Sequence, residues 1–182
     1  SFFVQNGNSD GTYRQLFSGD FDVQRDGITG SSTATLTARA AWEYKVSDDT
    51  VLSYFIGGET GDSIISGTYY GTQTRSAATF GSYAVHQLFG QLYLDGFLSF
   101  GTGWNNLEIA NDILTLESDY VTQTLALGGA LSGLYENTRY ELRPELAFSY
   151  GKTWIGVVDF TGRAYGQIDS TLTSDIGNES VA

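Results

Sequence analysis

A run of alternating charges is the strongest candidate for chemistry in this sequence. Arginine and glutamate alternate at every second position from residue 139 to residue 145, so an extended strand would present all four on one face. Such a face could line a polar channel or hold a passing polypeptide. The preferred interpretation is a ladder of ion pairs filling a narrow barrel, because interior charges must be paired or hydrated. The candidate lumen-lining residues, including an earlier segment with the same spacing, are Arg39, Glu43, Lys45, Arg139, Glu141, Arg143 and Glu145.

The sequence contains few residues that could form a catalytic or metal-binding site. His86 is the only histidine, the chain has no Gly-x-Ser-x-Gly elbow, and cysteine is absent. A nucleophile, a base and an orienting acid therefore cannot be assembled, and thiolate or multi-histidine metal sites are excluded. Glu141 and Glu145 share a strand face, but two carboxylates on one strand are common and a glycosidase would also need a sugar cleft, so this signal is weak. We predict no enzyme activity, no cofactor and no metal.

Two further sets of residues are expected in external loops. Carboxylates there could bind Ca²⁺, but they lack EF-hand spacing, so solvated side chains are the preferred interpretation. Exposed tryptophans there could contact a ligand, although packing within the loops is preferred. These residues are Asp62, Glu108, Asp112, Glu117, Asp119, Trp104 and Trp154.

Composition and charge narrow the class of protein. The 182 residues include 23 Gly, 12 Tyr and 11 Phe but one Pro, a balance that favours strands. The net charge of −12, with nine Lys and Arg, argues against a nucleic-acid partner. No apolar run reaches the roughly 20 residues of a membrane helix. A membrane role would therefore require a closed β-barrel.

Alternation with period two predicts the strands. In residues 34–46 the even positions are apolar and the odd positions are mostly polar, and residues 139–150 repeat the pattern. Weaker alternation marks residues 17–24, 52–56, 91–101, 122–135 and 158–172, and residues 75–88 are expected to form a strand whose two faces the pattern does not assign. Several runs exceed ten residues, which is typical of membrane-spanning strands rather than of the shorter strands of soluble sandwiches. The pattern predicts about eight antiparallel strands without an internal linker, so residues 1–182 would form either one complete barrel domain or the N-terminal part of a larger one.

The connections and aromatic residues add two expectations. Tight links are predicted at residues 47–50, 89–90 and 136–138, and longer external links at residues 58–74, 102–118 and 151–157. Short periplasmic turns and longer external loops characterise outer-membrane barrels. Aromatic side chains are expected to form two interfacial belts at opposite strand ends. The proposed belts are Trp42, Tyr44, Tyr135 and Tyr140 near the tight turns, and Phe100, Phe148 and Tyr150 at the other end.

Three segments resemble a known family. Residues 81–84 and 92–101, GSYA and LYLDGFLSFG, resemble the middle strands of autotransporter β-domains, and residues 140–150, YELRPELAFSY, resemble that family's arginine-proline strand. The resemblance covers residues 17–172. It implies a translocator barrel of twelve strands in a Gram-negative outer membrane, with a helix in its lumen leading to a secreted passenger. This chain differs in having about eight predicted strands, no helix pattern before them, and Ser180-Val181-Ala182 where the family has a terminal aromatic.

Three functional hypotheses follow. The first is an outer-membrane barrel, an antiparallel up-and-down transmembrane β-barrel, that anchors and exports or displays a passenger. Its partners would be outer-membrane lipid, the passenger segment and the barrel-insertion machinery. The second is a small complete barrel with a structural or adhesive role through its external loops. The third is a soluble sandwich or ligand-binding barrel, whose apolar faces would point inward.

Overall fold

The chain folds entirely as β-structure in the part that the computed structural model describes, residues 1–137, 140–164, 167–174 and 178–181. The antiparallel all-β prediction is confirmed. The strands are β1 Phe2–Gly7, β2 Tyr13–Arg25, β3 Ser32–Ser47, β4 Thr50–Ile65, β5 Tyr70–Phe89, β6 Leu92–Ala110, β7 Leu114–Gly133, β8 Tyr135–Asn137, β9 Tyr140–Leu142, β10 Glu145–Ile155, β11 Val158–Ala164, β12 Gln167–Ser174 and β13 Asn178–Val181.

The strands form an up-and-down sheet in which chain neighbours are also sheet neighbours. From β1 to β7 each strand pairs with the next, and β10 and β11 then lie end to end along β7. β12 pairs with β11 and β13 with β10, so the sheet is about nine strands across. β8 and β9 form a separate two-stranded hairpin. The described sheet is open, with β1 at one edge and β12 and β13 at the other.

The strands are longer than the sequence pattern suggested. The predicted tight links at residues 47–50 and 89–90 are confirmed. The predicted long links at residues 58–74 and 102–118 are wrong, because β4 to β7 continue through them and leave turns of only residues 66–69 and 111–113. Residues 151–157 mostly belong to β10 as well. Polar strand ends resemble loops in composition, but the backbone ladder continues through them.

Two other strand predictions need correction. The expected strand over residues 139–150 is broken between Leu142 and Glu145, at Arg143 and Pro144. Proline cannot donate to a ladder, which accounts for the interruption there. The predicted final strand over residues 158–172 is divided between β11 and β12, which pair with each other. β1, which has little alternation of its own, was not predicted.

Gly90 in the tight turn between β5 and β6 supplies a stability prediction. Its φ angle is +56°, and a Cβ there would have no atom within 4 Å, so only conformational strain opposes a side chain. We expect Gly90→Ala to lower the free energy of unfolding by about 1 kcal/mol, and Gly90→Asn to lower it less, because Asn tolerates this region. Urea unfolding would measure both losses, and equal losses would contradict the conformational explanation.

Asp26 should make the turn at residues 26–31 acid-sensitive. The Thr29 hydroxyl and the Ile28 N–H donate to its carboxylate at 2.7 and 2.8 Å, and both hold the pKa of Asp26 below its ordinary value. Because the folded pKa is the lower one, this stabilisation is present above about pH 5 and declines as the pH falls through the folded pKa.

The neutral variant Asp26→Asn tests this assignment. Its amide is uncharged and has one acceptor oxygen where the carboxylate has two, so we expect the urea midpoint of wild type to exceed that of the variant at pH 6. The difference should shrink as the pH falls and the Asp26 carboxyl becomes protonated. A constant difference between the two curves from pH 6 to pH 2.5 would show that the Asp26 carboxylate does not contribute in this way.

Candidate functional site

The two faces of the sheet differ sharply in chemistry. On β4, odd-numbered residues are shielded and even-numbered residues are exposed, as Ser53 at 0% and Ile56 at 56% exposure illustrate. Through the register, the face shared with Ser53 carries arginines, carboxylates, serines, threonines and glycines on neighbouring strands. We call this the inner face. The opposite, outer face carries exposed apolar residues that include Phe21, Leu36, Tyr54, Ile56, Phe80, Leu98 and Phe148.

Few apolar side chains are buried against each other. Among the described residues, only Ala41 and Val158 are buried hydrophobic residues. A soluble sandwich buries the apolar faces of two sheets against each other. Here the apolar face is uncovered, and the better-shielded face is the polar one.

Glu43 is the centre of a network on the inner face. Its Oε2 lies 2.6 Å from Nη2 of Arg14 on β2, and the Tyr83 hydroxyl of β5 donates to its Oε1. The Glu43 side chain is 10% exposed, whereas that of Arg14 is 46% exposed. The charge of the nearly buried Glu43 carboxylate is therefore balanced by the half-exposed Arg14 guanidinium. A buried charge needs such a partner.

Two other arginines on the inner face have different partners. Nε of Arg75 lies 3.4 Å from Oε1 of Glu59, in a pair that is half-exposed on both sides. The Arg39 guanidinium lies 4.9 Å from the centre of the Phe55 ring, a cation–π geometry. Arginines from β2, β3 and β5 thus share one polar face.

The predicted lumen residues fall into two groups. Arg39, Glu43 and Lys45 lie on the inner face of β3, and Nζ of Lys45 lies 2.8 Å from Asp48 at the adjoining turn. Glu141 and Arg143 are paired with each other at and just after β9, outside the main sheet.

The remaining two lumen candidates are Glu145 and Arg139. Glu145 is the first residue of β10 and lies opposite Ser132 on the inner-face register. Arg139 lies outside the described residues. The sequence alone missed Arg14, Tyr83 and the Glu59–Arg75 pair, because finding them required the register between strands.

The aromatic belts need partial correction. Trp42 and Tyr44 do lie on the outer face of β3 towards a tight turn. Phe100 lies in the middle of β6, and Phe148 and Tyr150 lie within β10, so none of the three occupies a strand end. The side chains of Tyr135 and Tyr140 lie outside the described residues.

Trp104 and Trp154 lie towards the end of the sheet that is opposite the tight turns. Both lie on the outer face, further from the tight turns than Phe100 and Tyr150 respectively. The loop placement expected for them is wrong, because they belong to β6 and β10. Lys152 Nζ lies 5.0 Å from the Trp154 ring centre. Amphipathic rings of this kind suit a boundary between apolar and aqueous surroundings.

The polar residues considered for catalysis or metal binding are scattered. His86 lies on the outer face, where its Nδ1 is 2.9 Å from the Thr50 hydroxyl. Asp112 lies in a turn, whereas Asp62, Glu108, Glu117 and Asp119 lie on strands, which corrects their expected loop placement. Within the described ranges, no group of three or more His, Cys, Asp or Glu residues is arranged to hold a metal ion.

Comparisons with known proteins leave the family unassigned. No protein-family model matches the chain, and no curated protein matches it either. In the described part of the chain, no helix has the length and apolar character needed to cross a membrane.

Proposed function

We propose that this protein is an outer-membrane β-barrel of the autotransporter-translocator kind, which anchors a passenger in a bacterial outer membrane and exports or displays it. The observation that carries the proposal is the inverted polarity of the sheet. Its outer face presents uncovered apolar side chains, while its inner face carries paired charges. Lipid would cover the first face, and an aqueous lumen would hydrate the second.

The apolar residues of the outer face form a band that runs across the strands. The slope of this apolar band supports the proposed arrangement. The outward apolar residues of β2, from Phe17 to Val23, are in register with residues 56–62 of β4. Those of β10, from Leu146 to Tyr150, are in register with residues 50–54 of β4. The band centre shifts by about seven residues over six strand-to-strand steps, a slope of about 40° at ~3.3 Å per residue and ~4.8 Å between strands.

That slope matches the tilt of barrel strands. Strands in a barrel incline by about 35–45° to its axis, so a band perpendicular to the axis crosses the hydrogen-bonded rows at an angle. A flat sheet with a random apolar patch has no reason to show this drift. The band is bounded by Trp42 and Tyr44 on the side of the tight turns and by Trp104 and Trp154 on the other side.

Strand number bears on export. An eight-stranded barrel is filled by its own side chains, whereas a larger barrel can leave a channel. The first and ninth strands across the described sheet run in the same direction. An antiparallel closure with the even strand number of bacterial barrels therefore needs an odd number of further strands. Three further strands would give the twelve that the family resemblance implies.

The rival functions fit less well. Adhesion through external loops would require long loops, but the turns at residues 66–69 and 111–113 are short. A soluble ligand-binding barrel would place its apolar face inward, whereas the shielded face here is the polar one.

Heat-modifiable mobility tests the proposed anchoring. The membrane fraction would be extracted with detergent and run in SDS with and without boiling. We expect a membrane-derived band whose mobility changes on boiling. Recovery in the soluble fraction without a shift would overturn the membrane proposal.

An epitope test addresses export separately. An epitope joined ahead of Ser1 should be accessible to antibody on intact cells, whereas a matched epitope at residues 48–49 should be accessible only after the outer membrane is opened. A membrane-anchored protein with both epitopes inaccessible on intact cells would contradict export while leaving anchoring intact.

A further inference from the structure

An aromatic pocket lies on the inner face near the tight-turn end. It has a volume of about 390 Å³, within the size range of small-ligand sites. Its walls combine aromatic rings with hydroxyls and one guanidinium. The residues used in the argument below are Phe3, Arg39, Phe55, Thr79, Tyr83 and Phe97.

Among the described arginines of the inner face, Arg39 differs from Arg14 and Arg75 in having no carboxylate partner. Arg14, Arg75 and Arg143 each lie within 4.0 Å of a carboxylate oxygen. Among the described residues, no carboxylate oxygen lies that close to Arg39, whose recorded contact is the Phe55 ring. None of the residues that line the pocket is acidic, and the Glu43 carboxylate, to which the lining residue Tyr83 donates a hydrogen bond, has its charge balanced by Arg14.

Two glycines, each on the strand next to an aromatic residue of the pocket, determine how the rings lie. A Cβ at Gly81 would lie 2.5 Å from Cζ of Phe55, so the Phe55 ring lies directly over Gly81. Gly128 lies beneath Phe97 in the same way, with 2.6 Å from its would-be Cβ to Cε1. The two rings therefore lie down against the sheet, and Arg39 and Phe3 border the space above it.

We infer that this pocket binds a small arylalkyl carboxylate. The aromatic walls would cover an apolar ring, and the planar Arg39 guanidinium would bind the carboxylate through two parallel hydrogen bonds. The Thr79 hydroxyl can donate to the same carboxylate. The inference rests on the proposed function, because it requires the inner face to border an aqueous lumen that solutes enter.

The test uses calorimetric titration of the full chain in non-ionic micelles. The probe is 4-phenylbutyrate, and 4-phenylbutanamide is its neutral control for partition into detergent. We expect saturable binding of the acid and at least about tenfold weaker binding of the amide, since a charge-assisted pair contributes roughly 1.5–3 kcal/mol. Arg39→Gln should weaken acid binding by a similar factor. Arg25→Gln, at the outer end of β2, should leave it unchanged.

A second variant tests the contribution of the cavity to binding independently of the Arg39 charge. Thr79→Leu places a larger side chain in the pocket and keeps Arg39. Because that side chain takes the space of the probe's phenyl ring, we expect binding of the acid to weaken by about tenfold. Every variant is first shown to be membrane-derived and heat-modifiable, so a failure of the membrane proposal is recognised before any titration. In protein that passes this check, the absence of saturable binding, equal binding of acid and amide, or unchanged binding by Arg39→Gln would each overturn the inference.

Discussion

In the proposed membrane barrel, Leu36→Arg is expected to lower the free energy of unfolding in a bilayer by about 2–4 kcal/mol, the cost of a cation that faces lipid near the midplane. Leu36 lies on the outer face of β3 and is 50% exposed, so in water the same substitution would cost almost nothing. Urea unfolding of the protein folded into short-chain lipid bilayers would measure the loss.

Thr37→Arg is the matched control for that prediction. Thr37 is adjacent in the chain but lies on the inner face, directly between Asp20 of β2 and Glu59 of β4. An arginine there has carboxylates on both sides, so we expect a change within about 0.5 kcal/mol or a small gain. A result in which Thr37→Arg costs more than Leu36→Arg would mean that the two faces have been assigned the wrong way round.

Glu43→Leu is expected to lower the free energy of unfolding by about 2–3 kcal/mol. The substitution leaves the Tyr83 hydroxyl without its acceptor and Arg14 without its counter-ion on the inner face. Breaking a fully buried pair costs about 3–5 kcal/mol, and the half-exposed Arg14 reduces that figure because water rehydrates the freed cation. Unfolding in urea, with wild type and variant in the same micelles, gives the difference.

Glu59→Leu makes the same chemical change in a wetter pair. Both Glu59 and Arg75 are at least one-third exposed, so we expect a loss of no more than about 1 kcal/mol. Tyr83→Phe should cost about 1 kcal/mol, the contribution of one hydrogen bond. Equal losses in the free energy of unfolding for Glu43→Leu and Glu59→Leu would show that the burial of Glu43 does not strengthen its interactions.

Alternation in the sequence was enough to predict the faces of individual strands. Arg39, Glu43 and Lys45 were correctly grouped by period two, and Trp42 and Tyr44 were correctly placed on the opposite face. This succeeds because side-chain direction in a strand depends only on local geometry. Strand limits were predicted less well, since the polar ends of β4 to β7 have the composition of loops although their backbones remain paired.

The inner-face network could not be predicted from local patterns. Arg14 and Glu43 are 29 positions apart, and their contact depends on the register between β2 and β3. Phe100 and Tyr150 were placed at strand ends for a different reason: links were predicted at residues 102–118 and 151–157, but β6 and β10 continue past both residues. Pro144 gave a usable local signal for the break before β10.

The most direct test of the central claim is a cysteine scan along β4, made possible because the chain contains no native cysteine. Single substitutions from Val51 to Glu59 would each carry an environment-sensitive probe in lipid vesicles, with a lipid-borne quencher and a water-soluble quencher added separately. The proposal predicts that even positions such as Tyr54 and Ile56 respond to the lipid-borne quencher and odd positions to the water-soluble one. The opposite alternation, or none, would contradict a lipid-covered outer face and an aqueous inner face.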